Sequence, residues 1–126
     1  MGKGQTFLSQ SEKTPSGLYK RHLRIIITEA DQELNHVVVT VRTYKGRGID
    51  TSCIIEAGEH PFIEHRSVVD FARTRVMSYT EIFNGINRGL LIRKEDVSPE
   101  LLSRIQDAAK SSTRIPQNIK AMLNDC

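Results

Sequence analysis

Leu23-Arg24-Ile25-Ile26-Ile27-Thr28 and, after a polar turn from Glu29 to Asn35, His36-Val37-Val38-Val39-Thr40-Val41-Arg42-Thr43-Tyr44 decide the fold class. Both runs are apolar and β-branched, too short for buried helices and bounded by polar residues, so they read as buried strands. The turn between them has hairpin length, which makes an antiparallel pair the simplest arrangement.

Further β signals lie on either side. Phe7-Leu8 reads as a short first strand, followed by a polar loop from Ser9 to Gly17. After the glycine turn Lys45-Gly46-Arg47-Gly48, Thr51-Ser52-Cys53-Ile54-Ile55 reads as a strand that ends at the turn Glu56-Ala57-Gly58-Glu59. Ser67-Val68-Val69-Asp70-Phe71 and Arg75-Val76-Met77 read as two more short strands, and such spacing predicts a small barrel or sandwich. From Tyr79 the pattern turns helical. Ile82, Phe83 and Ile86 are expected on one helix face, closed by Asn87-Arg88-Gly89. Ser98-Pro99-Glu100 opens a second helix: Ser caps a free amide, Pro at the first position loses no hydrogen bond, and Glu suits the positive end of the dipole. Leu101, Leu102, Ile105, Ala108 and Ala109 form its apolar stripe, and Pro116 opens a last helix carrying Ile119, Met122 and Leu123. The expected organisation is one domain over 1–126, mainly β over 1–78 with C-terminal helices over 79–126.

Composition narrows the function classes. A chain of 126 residues, 38% hydrophobic and 26% charged, is one ordinary domain with no apolar run near the ~20 residues that span a bilayer. Met1-Gly2-Lys3-Gly4-Gln5 reads as neither a secretory nor a lipidation signal, so the expectation is a cytoplasmic protein without a membrane partner. Cys53 and Cys126 are far apart and belong to no CxxC pair, which argues against a disulfide framework and places Cys53 in the core. The charge of +3 permits a polyanionic partner without requiring one.

Two constellations carry possible chemistry. Lys20-Arg21-His22-Leu23-Arg24 opens one strand and Arg42-Thr43-Tyr44-Lys45-Gly46-Arg47-Gly48 closes its partner, so the hairpin brings His22 towards Arg42 and Thr43 at one basic rim. Lys and Arg neutralise phosphates and nearby aromatics (Tyr19, Tyr44, Phe62) stack on unpaired bases, so single-stranded RNA suits the rim. Its cleavage needs a base for the 2′-hydroxyl, an acid for the leaving oxygen and a cation for the phosphorane. A histidine, with an ordinary pKa of about 6.5, can serve either proton transfer. The second constellation combines Asp50 and Cys53 with Glu59, His60, Glu64 and His65. These are metal-ligand types, but His-x4-His is not helical zinc spacing and Pro61 breaks helical continuity. The expectation is no metal and a rigid loop, with Phe62 and Ile63 in the core, His60 hydrogen-bonded beneath them and Asp50 orienting His60.

Ser67-Val68-Val69-Asp70-Phe71-Ala72-Arg73-Thr74-Arg75-Val76 resembles a late strand of the PemK/MazF family of toxin–antitoxin toxins. Leu90-Leu91-Ile92-Arg93-Lys94-Glu95-Asp96-Val97-Ser98-Pro99-Glu100 before an amphipathic helix is similar to the family's usual ending. Gly58-Glu59-His60-Pro61-Phe62-Ile63-Glu64-His65-Arg66-Ser67 resembles a subgroup of PemK-like bacterial and phage proteins, and the resemblance covers residues 4 to 110. It implies an SH3-like small barrel, a homodimer, an antitoxin protein as partner, no cofactor, and metal-independent cleavage of single-stranded messenger RNA. An Arg-Pro pair commonly supplies the family's catalytic arginine; here His22 takes the arginine place and Leu23 the proline place. The family's catalytic Thr or Ser falls on Arg42 or Thr43. The expected catalytic residues are therefore His22, Arg42 and Thr43, with Arg24, Tyr44, Lys45, Arg47, His60 and His65 binding substrate. The alternative is a non-catalytic module on the same scaffold that binds a protein target or RNA, as the related CcdB toxins act on gyrase rather than RNA; a histidine-based metal hydrolase is a third reading.

Overall fold

The computed structural model describes residues 2–13, 19–46 and 50–124, with the backbone alone at 10–13 and 19–20. Its strands are β1 (Thr6–Lys13), β2 (Tyr19–Ile26), β3 (Asn35–Thr43), β4 (Ile54–Ile55), β5 (Ser67–Ser78) and β6 (Leu91–Lys94). The helices are α1 (Tyr79–Asn87), α2 (Pro99–Ser111) and α3 (Gln117–Lys120), followed by a tight turn over Ala121–Leu123. All pairings are antiparallel, and one six-stranded sheet in the order β4-β5-β3-β2-β1-β6 curls into a half-barrel.

The continuous β-branched runs exist because the middle of the sheet is buried on both faces. Alternate residues Ile25, Ile27, Val37, Val39 and Val41 join the main core with Leu101, Ile105 and Ala109 of α2 and Ile119 near the C-terminus. The residues between them, Ile26 and Val38, join Phe7 and Met77 beneath Ile82 of α1. Ser98 caps α2 by accepting from the Leu101 amide at 3.1 Å, and Ser78 caps α1 in the same way through Glu81. Among the described residues no helix is long and apolar enough to cross a membrane.

Several expectations need correction. The first strand runs from Thr6 to Lys13 rather than covering only Phe7-Leu8. The strand expected over Thr51–Ile55 contracts to Ile54–Ile55, because Asp50 Oδ1 accepts from both the amide and the hydroxyl of Ser52 and turns the chain there. The two short strands of 67–71 and 75–77 are one strand, β5. Its register against β3 shifts between Val38–Arg75 and Thr40–Asp70, so the extra residues bulge and leave Ala72 and Arg73 consecutively exposed, which interrupts the alternation. The region beyond residue 78 is not wholly helical, since β6 returns to pair with β1. Phe83 is 46% exposed and stacks on Tyr79 with ring centroids 6.0 Å apart, outside the buried face made by Ile82.

At Gly85 the backbone of α1 approaches β6 closely: a β-carbon would lie 2.6 Å from Leu91 Cδ1 and 2.8 Å from its Cγ. Gly85→Ala is therefore expected to lower stability by about 1–3 kcal/mol through overpacking, despite alanine's higher helix propensity. Urea denaturation checks this, and the same substitution in a Leu91→Ala background should cost much less.

Candidate functional site

β2 and β3 pair only from Arg24–Thr40 to Ile26–Val38. Beyond that point β2 continues alongside β1 and β3 alongside β5, so the two strands part. Past the split His22 pairs with Ser9 of β1 and Arg42 with Val68 of β5. A cleft of about 720 Å³ occupies this opening, lined by Arg21, His22 and Leu23 from β2 and by Val41, Arg42 and Thr43 from β3. The loop before β5 adds Pro61, Phe62, Ile63 and His65, and Arg114 reaches in from beyond α2.

The cleft is mixed in charge but rich in cations. Arg21, Arg42, Lys45 and Arg114 line it together with Asp50, Glu64 and Asp70. Arg42 pairs with Asp70 at 3.2 Å, and the same carboxylate oxygen receives Arg73 at 3.4 Å. Arg114 approaches Asp50 at 3.9 Å.

Of the expected site residues, His22, Arg42, Thr43, Lys45 and His65 come together in the cleft lining. The pleat divides them: Thr43 shares a face with the core residues Val39 and Val41, whereas Arg42 shares the other face with Val38. Only because the strands part can a single opening draw on both faces. Arg24, Tyr44 and His60 are outside its walls, and Arg47 falls outside the described residues. Arg24 lies on the sheet face beside the cleft, where its Nε donates to Ser9 Oγ at 2.5 Å. Burial, then repulsion from Arg75 and Arg73, holds its pKa below the usual arginine value, with Glu81 opposing.

His60 is 1% exposed and occupied on both ring nitrogens. The Phe62 amide donates to its Nδ1 at 3.0 Å, so Nε2 carries the proton it donates to the Glu95 carbonyl at 2.6 Å. Glu95 follows β6 and His60 follows β4, the two edges of the sheet. The histidine thus ties the edges of the half-barrel together. Asp50 does not orient it, being engaged with Ser52 instead. Ile63 is buried as expected, but Phe62 is 41% exposed and faces the cleft.

The second constellation is also drawn apart. Glu59 accepts from Arg104 of α2, which donates as well to the Ile54 carbonyl at 2.7 Å. Among the described residues no group of three or more His, Cys, Asp or Glu converges as a metal site would require. Cys53 is buried, and burial raises its thiol pKa, which disfavours the thiolate a nucleophile needs.

The Arg104 hydrogen bond holds the Glu59 carboxyl below its usual pKa. Its contribution is present at neutral pH and fades as pH falls through that depressed value. Glu59→Gln is expected to cost about 1 kcal/mol at neutral pH, since the pair is partly exposed, and to match the wild type in strong acid. Denaturant midpoints across that pH range check it.

The chain matches no family model and no curated protein. The site therefore stands on its own geometry. Arg21, part of the basic stretch that opens β2, lines the cleft too, and sequence reasoning missed Asp70 and Arg114 there. Asp70 is a charge inside an apolar strand, a usable signal; nothing local marks Arg114, which only the packing of the C-terminal segment brings in.

Proposed function

We propose that the protein is an endoribonuclease that cuts single-stranded RNA at the split between β2 and β3, in the manner of a PemK/MazF-type toxin. The observation that supports this reading is that His22 and Arg42, from two strands that part, line one cleft together with Arg21, Lys45 and Arg114. In the proposed reaction the 2′-oxygen attacks the adjacent phosphorus as His22 takes its proton. The P–O5′ bond then breaks, and the departing oxygen receives a proton, for which His65 supplies a second imidazole in the same lining. Arg42 stabilises the phosphorane, with Thr43 positioning the scissile phosphate. An SH3-like barrel, a homodimer, an antitoxin that covers the cleft and a cytoplasmic setting belong to the same proposal.

The test is to incubate long labelled single-stranded RNA with the purified protein in EDTA and to identify the fragment ends. Discrete cuts ending in 2′,3′-cyclic phosphate are expected; intact RNA in the presence of folded protein counts against the reading. One observation favours a second reading, a non-catalytic RNA-binding module: Asp70 already neutralises Arg42. That module would bind RNA without cutting it. Its affinity would fall with salt at a log–log slope of roughly 2 to 3 if three or four phosphates are neutralised.

A further inference from the structure

The geometry points to Phe62 as a fixed stacking platform for an unpaired nucleobase, held in the cleft by a loop whose conformation is set by the buried His60. This rests on the reading of the cleft as a site for single-stranded RNA, and assigns base recognition to a residue that the cleavage chemistry does not use.

An aromatic ring between Pro61 and Ile63 gains most by burial, worth about 1.5–3 kcal/mol for a phenylalanine. Ile63 follows that rule and is buried; Phe62 remains 41% exposed and lines the cleft. The loop leaves it little choice. The Phe62 amide donates to His60 Nδ1 at 3.0 Å and the Ile63 amide to the His60 carbonyl at 2.9 Å. The Gly58 amide donates to the Ile63 carbonyl at 2.9 Å, closing the loop on itself with Gly58 at φ 90°. His60 is in turn fixed to the Glu95 carbonyl, across the seam of the half-barrel. Pro61 restricts the backbone immediately before the ring. A ring held out of the core by a pre-ordered loop needs little further ordering when a flat ligand stacks on it.

The surroundings select the ligand. Arg21, Arg42 and Lys45 share the lining with Phe62, so an apolar π-face sits among groups that attract phosphates. A nucleotide has both an anion and a flat ring, and bases in a duplex are already stacked, so the unpaired nucleotide is the chemistry that fits.

The chain contains no tryptophan, so Phe62→Trp creates a single reporter at this position. Its fluorescence is expected to be quenched by a short single-stranded RNA and left unchanged by inorganic polyphosphate, which has charge but no bases. Phe62→Ala should weaken the oligonucleotide by about tenfold or more while polyphosphate affinity is retained, and Phe62→Leu should behave like alanine because it restores bulk without a π-face. Wild-type oligonucleotide affinity in Phe62→Ala, or an unquenched Phe62→Trp at saturation, overturns the stacking role and leaves the cleavage reading standing. Failure of the wild-type protein to bind RNA at all overturns both.

Discussion

His22→Ala is expected to slow RNA cleavage by about 10²–10⁴-fold, the usual contribution of a positioned general acid or base. RNA affinity should change by much less, because Arg21, Arg42, Lys45 and Arg114 stay in the cleft. This split between rate and affinity separates proton transfer from simple phosphate binding. Arg42→Ala should reduce both, since in the proposed reaction its guanidinium serves the bound phosphate and the phosphorane alike. Arg42→Lys should recover binding better than rate, because an ammonium keeps the charge but loses the planar fork. A single-turnover assay with either variant provides the measurement, and equal cleavage by His22→Ala and wild type removes the histidine from the chemistry.

The largest effect on stability among single changes near the site is expected at His60, which has no part in the proposed reaction. His60→Ala removes two hydrogen bonds and leaves the Glu95 carbonyl and the Phe62 amide without that partner beside a cavity. The cost should be about 2–4 kcal/mol, with a fall in melting temperature of roughly 10 °C. His60→Gln can keep one of the two bonds and should lie between. Because the residue joins the segment after β4 to the segment after β6, its loss should also speed amide exchange at both sheet edges before the centre. Exchange raised uniformly would instead mean that the tie contributes only global stability.

The strands that could be read directly were those whose burial is written into consecutive residues. Ile25-Ile26-Ile27 and Val37-Val38-Val39 are apolar on both sides of the pleat because α2 covers one face and α1 the other. β6 escaped because Leu91-Ile92-Arg93-Lys94 is short, and its strand character comes from pairing with the remote β1. β5 reads as two pieces in the sequence because its bulge places two exposed residues where a strict alternation has one. At the site, the hairpin puts the start of β2 and the end of β3 at one end of the sheet, where His22 and Arg42 both line the cleft. The parting of the strands does not follow from the hairpin, since it depends on what pairs with each strand on its far side. Thr43's face was available from its parity with Val39 and Val41. Phe62 follows no local pattern: an aromatic between Pro and Ile looks the same whether buried or exposed, and only the closed loop around His60 decides.

If RNA occupies the split between β2 and β3, amide chemical-shift mapping will locate it there. A non-cleavable 2′-O-methyl oligonucleotide would be titrated into isotope-labelled protein. The largest shifts are expected at Arg21–Leu23, Val41–Thr43 and Phe62, reduced by raising salt. Shifts centred instead on the stack of Tyr79 with the exposed Phe83 in α1, or none at saturating oligonucleotide, would rule this out.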